Sequence, residues 1–275
     1  MIRDTFFSMS RFVDVCRKEM IEGWKANVLR VVMMYGILAV AFVWNGYFQY
    51  DNMRMTTNND PIWEFELIVF LWAIVIMGPL SASFTMERMK TKTNRIAVLM
   101  TPATMFEKFF SRWLVFTFGF LVVFLIAFKL ADWTRVLVYT VSYPDLKAVI
   151  APAPLSHLMG DNQEFWSIFQ TSGQFLLGIS GYFYMQSLFV LGSTIWPKNA
   201  FVKTFSAVMV IAVIYILIGV TLTKIFLERK AYGFQSPISL DTMMTLVTTF
   251  FFVMAVFNWG LAYFRFKESE IINRW

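Results

Sequence analysis

Few side chains in this sequence are of a type that does chemistry, and they do not converge on one site. The chain holds a single histidine, His157, and a single cysteine, Cys16. Metal-assisted hydrolysis needs a His/Cys cluster or a spacing such as HExxH, and a nucleophile needs a base beside it. One histidine supplies neither, and one cysteine excludes an internal disulfide. The carboxylates Asp132, Asp145, Asp161 and Glu164 flank His157 in sequence but form no catalytic motif, so His157 reads as a loop residue. No GxxxxGK[ST] phosphate-binding loop is present, which removes nucleotide hydrolysis by that device. The residues therefore predict a chain that is not an enzyme and carries no metal or cofactor of its own.

The elements that would hold such groups are strongly apolar. Of 275 residues, 58% are hydrophobic and 15% charged, against about 45–50% and about 25% in soluble domains. A soluble fold of this length could not bury that much apolar surface, so lipid is the expected solvent and partner. Six long apolar runs stand out: Leu29–Phe48, Phe65–Phe84, Trp113–Ala131, Phe165–Ile195, Phe205–Phe226 and Met243–Phe264. Each reaches the roughly 20 residues that cross a hydrocarbon core as a helix. The fourth is longer than one span needs. No run alternates as a membrane-barrel strand does. The predicted fold class is an all-α membrane protein of six transmembrane helices. The start of the chain lacks the apolar core and small-residue site of a cleavable signal.

The centres of the six runs contain no Asp, Glu, Lys, Arg or His; Glu64 and Glu66 stand at the mouth of the second. Ion-coupled carriers keep such groups at mid-depth, because their cost in lipid is offset by function. Uncharged polar residues do occur, at Asn45, Gln174, Ser180, Gln186, Ser187 and Asn258. Interhelical hydrogen bonding is the commoner use of such residues. Asn45, Gln174, Gln186 and Asn258 are the candidates for lining a pathway. Trp72 lies mid-span and is expected to pack against another helix.

Lys and Arg counts orient the spans. With the N-terminus inside, inner segments hold seventeen and outer segments seven, which predicts N-in and C-in. The Lys224, Arg229, Lys230 cluster is the exception. The net charge of +6 follows from the same bias. No basic cluster sits among stacking aromatics, so nucleic acid is not an expected partner. Residues 1–27 form a separate element: Ile2, Phe6, Met9, Val13, Cys16, Met20 and Trp24 fall within about 80° of a helical wheel, opposite Arg11, Lys18, Glu22 and Lys25. That pattern predicts an amphipathic helix in the inner membrane interface, ahead of a transmembrane domain over 28–275. The outer segment 132–164 reads as a small ordered cap with turns. Trp196–Lys203 reads as a tight turn, with Pro197 ending the helix before it. Residues 231–241 read as a loop that could dip back into the bundle.

The inner loop 85–108 is the most structured of the connections. Glu87-Arg88 closes span two, a polar stretch through Lys90, Lys92 and Arg95 follows, and Ile96, Ala97, Leu99 and Met100 form a short apolar patch. Thr101-Pro102 suits a helix start, and Thr104 with Glu107 has capping-box spacing. This loop resembles the permease subunits of type-2 ABC exporters. The shared features are an E-R pair, a turn, a short apolar stretch, a proline and an E/K pair before span three, carried here by Glu87, Arg88, Thr93, Leu99, Pro102, Glu107 and Lys108. The family's turn glycine is absent; Thr91-Lys92-Thr93-Asn94 stands there.

The resemblance implies a permease subunit in the cytoplasmic (inner) membrane that forms a pathway with a second permease subunit, as a homo- or heterodimer. It implies separate ABC ATPase subunits that bind ATP and Mg and grip the loop through Glu87, Arg88, Lys90, Lys92, Arg95, Leu99, Met100, Pro102 and Glu107. The alternative from another class is a non-transporting scaffold or sensor that anchors a cytoplasmic partner by the same loop. A membrane enzyme acting on lipid is the weakest of the three.

Overall fold

The computed structural model describes residues 6–51, 60, 62–160, 167–227 and 239–269. Among these the chain is helical, with one isolated bridge between Met159 and Phe169 and no strand. Six helices are long and apolar enough to cross a membrane. They are α1 (Met9–Asp51), α2 (Trp63–Ser83), the composite Met105–Ser142, α6 (Ser172–Ile195), α7 (Ala200–Leu227) and α8 (Leu240–Lys267). The composite consists of α4 (Met105–Leu114), a π turn (Val115–Gly119) and α5 (Phe120–Ser142). A short α3 (Lys92–Leu99) lies in the loop before it, and 3-10 turns occupy Glu87–Lys90, Pro144–Leu146 and Leu155–Leu158.

These bounds refine the sequence reading in four places. The fourth span starts at Ser172, so its 24 residues are an ordinary crossing length. The third helix continues to Ser142, so Asp132, Trp133 and Arg135 stand on helix rather than opening the outer segment. Helix α1 is unbroken over 43 residues, about 64 Å at 1.5 Å per residue, and no interruption marks residue 27. The turn predicted over Trp196–Lys203 is shorter, 196–199, because α7 already begins at Ala200; Asn199 stands at φ 59°, a left-handed position that Asn tolerates. The loop 231–241 and Lys230 lie wholly or mainly outside the described residues, as do Asp161, Glu164 and Trp166.

The chain divides into two compact units, one of Met1–Gly78 with Phe110–Phe175 and one of Pro79–Phe109 with Leu176–Trp275. In the first, α1 and α5 pack along each other, with α2 beside them. The core joins Leu38 and Phe42 of α1, Phe70 and Ala73 of α2, and Phe124, Ala127, Phe128 and Ala131 of α5. Phe128 receives the edges of Phe42 and Phe70 at centroid distances of 5.4 and 5.1 Å. Towards the N-terminus of α1, Phe12 meets Phe110, and Glu19 pairs with the buried Arg112 at 2.8 Å. That contact uses a face of α1 different from the predicted apolar stripe. Met9, Val13, Met20 and Trp24 of the stripe stay exposed, and Cys16 is half-buried.

In the second unit, α6 packs on α8 through stacked Tyr184 and Phe251, and on the start of α7 through Phe189 and Phe201. Phe109 closes the other end of α8 against Tyr263 and Phe266. Trp72 departs from expectation. It is 66% exposed, on a face of α2 with Ile68, Val75 and Ile76 that turns away from α1 and α5.

Close approach of α1 and α5 depends on Gly46, where an added Cβ would run into the ring of Tyr139; at Gly36 of the same helix nothing lies within 4 Å. Gly46→Ala should therefore lower unfolding free energy in detergent by about 1–3 kcal/mol through overpacking. Gly36→Ala should be neutral or raise it by up to about 1 kcal/mol through helix propensity. Equal effects would show that the α1–α5 packing is not as described.

Candidate functional site

The loop between α2 and α4 is built as a short, well-anchored helix. Thr91 is its N-cap, with extended backbone at φ −109° and a hydroxyl that accepts from the Asn94 amide at 3.3 Å. No residue of this turn needs a positive φ, which is why it closes without glycine. At the other end the Met100 amide donates back to Ile96, and Lys108 Nζ donates to the Leu99 carbonyl at 2.7 Å. A cation is favourable there, since the last carbonyls carry the negative end of the helix dipole. Beneath α3, Arg95 is buried and its guanidinium donates to the Met89 carbonyl at 3.1 Å.

The predicted helix start at Thr101-Pro102 is displaced by three residues. Thr101 instead bonds back to the Ala97 carbonyl at 2.9 Å, and Pro102 is an exposed turn residue. Helix α4 begins at Met105 under a reciprocal cap. The Glu107 amide donates to Thr104 Oγ1 at 3.2 Å, and the Thr104 amide donates to Glu107 Oε2 at 3.0 Å.

The nine loop residues read as one site thus divide by exposure. Arg95 and Glu107 are buried and hold the loop together. Glu87, Arg88 and Leu99 are half-buried, with Glu87 paired to Lys90 at 2.8 Å. Lys90, Lys92, Met100 and Pro102 are exposed, and Met100 is 72% so. Thr93, Ile96 and Ala97 join them on the outer side of α3. The result is a narrow surface, basic at its start and apolar at its end.

The four polar candidates in the spans are divided between the two units. Asn45 and Gln174 belong to the first unit, Gln186 and Asn258 to the second. Gln174 caps the start of α6, where its Oε1 accepts from the Gln170 amide at 2.9 Å. Asn258 Nδ2 donates to Ser187 Oγ at 3.0 Å with both residues buried, an interhelical bond between α8 and α6.

A second constellation was not foreseen. In the first unit, Arg135 has no exposed surface and gathers three carboxylates. Its Nη1 lies 2.8 Å from Asp60 Oδ2, its Nη2 2.8 Å from Asp132 Oδ1, and its Nε 2.6 Å from Glu66 Oε1. Nη1 also donates to Tyr50 Oη at 2.6 Å, and Tyr50 donates to Asp60 Oδ2 at 2.7 Å. Lys129 reaches Asp132 at 3.6 Å. Among the described residues, three carboxylates therefore face two cations. The Glu66 contact is the poorest, close in charge but outside hydrogen-bond alignment, and Glu66 Oε2 is shielded with no donor among the described residues. The spacing of Lys129, Asp132 and Arg135 at steps of three on one helix face was the available sequence signal.

The chain matches no protein-family model, no curated protein and no solved structure.

Removing one partner from a buried ion cluster costs about 3–5 kcal/mol, because the charges left behind stay desolvated. Arg135→Gln should lose that much in chemical unfolding in micelles. Glu66→Gln removes the surplus, unaligned charge and should cost far less. Comparable losses for the two variants would contradict the charge count.

Proposed function

We propose that this chain is the permease subunit of an ATP-driven exporter of the type-2 ABC kind, placed in the cytoplasmic membrane with both termini inside. The observation that carries the reading is the outer side of α3. It is a helix capped at both ends and tied to its own scaffold through Arg95 and Lys108, yet it presents Lys92, Ile96 and Met100 outward. A short helix held this firmly suits the role of a handle, since force applied to its exposed side is not dissipated by local unfolding. The basic residues that would grip the ATPase are also those that hold the loop inside by the positive-inside bias.

In this reading ATP and Mg belong to the partner, whose closure biases a bistable bundle through differential contact with the loop. A second permease subunit completes the pathway. The exposed α2 face around Trp72 supports such a neighbour. Trp prefers the headgroup depth, and mid-helix exposure fits a protein surface better than acyl chains. The exposed stripe Met9, Val13, Met20 and Trp24 fits the inner membrane interface.

The test is coupling. Ile96→Asp combined with Met100→Asp changes only outward side chains, so membrane yield should match wild type. Copurification of an ATPase subunit, and transport-linked ATP hydrolysis in proteoliposomes, should fall at least tenfold. Retention of both by the double variant would sink the docking role of α3. Wild-type chain that binds a cytoplasmic protein without nucleotide-hydrolysing activity would favour a scaffold instead.

A further inference from the structure

We infer that residues 143–158 are a strap latched to the first unit through the Arg135 cluster, and that the strap releases as one body when α2 and α5 shift against each other. The inference does not depend on which partner binds the loop.

The latch holds main chain as well as side chains. The Ala151 amide donates to Asp60 Oδ2 at 3.3 Å, and the Ala151 carbonyl accepts from Arg135 Nη2 at 2.9 Å and from Trp63 Nε1 at 3.0 Å. The Ala153 amide donates to Asp132 Oδ2 at 2.9 Å, and its carbonyl accepts from Lys129 Nζ. All four polar groups of these two residues are met by side chains of the unit beneath. Pro152 and Pro154 fix φ on either side of Ala153, which keeps the stretch extended and lowers the entropy cost of docking it. Leu146 and Ile150 anchor the strap upstream in a cluster with Tyr50, Ile62 and Tyr139, and Leu155 and Leu158 lie on the main core downstream. Its outer side, at Pro152 and Ser156, is exposed.

Two features make the latch cooperative. Asp60, Asp132, Lys129 and Arg135 serve the ion cluster and the strap at once, so lifting the strap strips each of a partner in the same step. Such networks open together because partial satisfaction in a low-dielectric site is costly. The cluster is also split between elements. Glu66 rides on α2, and Asp60 just precedes it, while Lys129, Asp132 and Arg135 ride on α5. Sliding these two elements separates Asp60 and Glu66 from Arg135, a shear of packed helices with two discrete arrangements.

Hydrogen exchange on the full chain in nanodiscs tests this. Peptides over 146–158 should be protected at least a hundredfold relative to an unstructured chain. Lys129→Met, at a partly exposed position that should not impair folding, should accelerate exchange at least tenfold across the whole strap, and Asp132→Asn should do so more strongly. A thiol probe gives a second readout in a Cys16→Ser background. Ala153→Cys, at a position with no exposure, should react at least tenfold more slowly than Ser156→Cys, and Lys129→Met should close the gap. Unprotected wild-type amides, exchange unchanged by Lys129→Met, or residues 151–153 released while 146–150 stay protected would each overturn the latch.

Discussion

The first unit is organised around a guanidinium that has lost all contact with water. Arg135 stands on a helix read as membrane-spanning and is fully enclosed. Such a group is tolerated only when opposite charge and hydrogen-bond acceptors surround it. That requirement reaches a long way along the chain. It fixes where α1 ends, because Tyr50 must reach Asp60 and Arg135, and it draws the segment beyond α5 back over the helix ends. The aromatic core around Phe128 sets the spacing of α1, α2 and α5, but it could be satisfied in more than one register. The charged cluster admits one.

Sequence periodicity made the spans legible and left their ends obscure. The six apolar runs correspond to the six candidate crossing helices, since hydropathy reports backbone that must satisfy itself in lipid. The capping box at Thr104 and Glu107 was legible for a similar reason, because its partners are three residues apart. The Arg135 cluster was not. Asp132 and Arg135 follow the third apolar run, so they read as loop, and their partners Asp60 and Glu66 lie some seventy residues away. Only the i, i+3 spacing through Lys129 hinted that the helix ran on. Trp72 was misread for a different reason: a mid-span aromatic says that a face is occupied but not by which molecule. Equally, Phe12 and Glu19 on the N-terminal helix gave no sign that a second face of it would meet Phe110 and Arg112.

Among the loop residues, carrying a charge and presenting it outward are separate things. Arg95 and Glu107 share the loop with Lys90 and Lys92, yet they point inward, where one supports the chain under α3 and the other caps α4. Three groups, Thr91, Arg95 and Lys108, hold these eight helical residues in place, and the Thr104–Glu107 pair fixes the start of α4 just beyond them. A short helix in isolation is marginal in water, so this much anchoring argues that its orientation, and not merely its presence, matters.

Helix α2 relates these two constructions. Glu66 sits in its first turn, and its C-terminal end at Ser83 leads through Glu87–Lys90 into α3. Pro79 interrupts its hydrogen bonding and permits a bend there. Within the first unit, a slide of the Glu66 turn of α2 along α5 is the one motion that the shared carboxylates of the latch cannot accommodate while it stays closed.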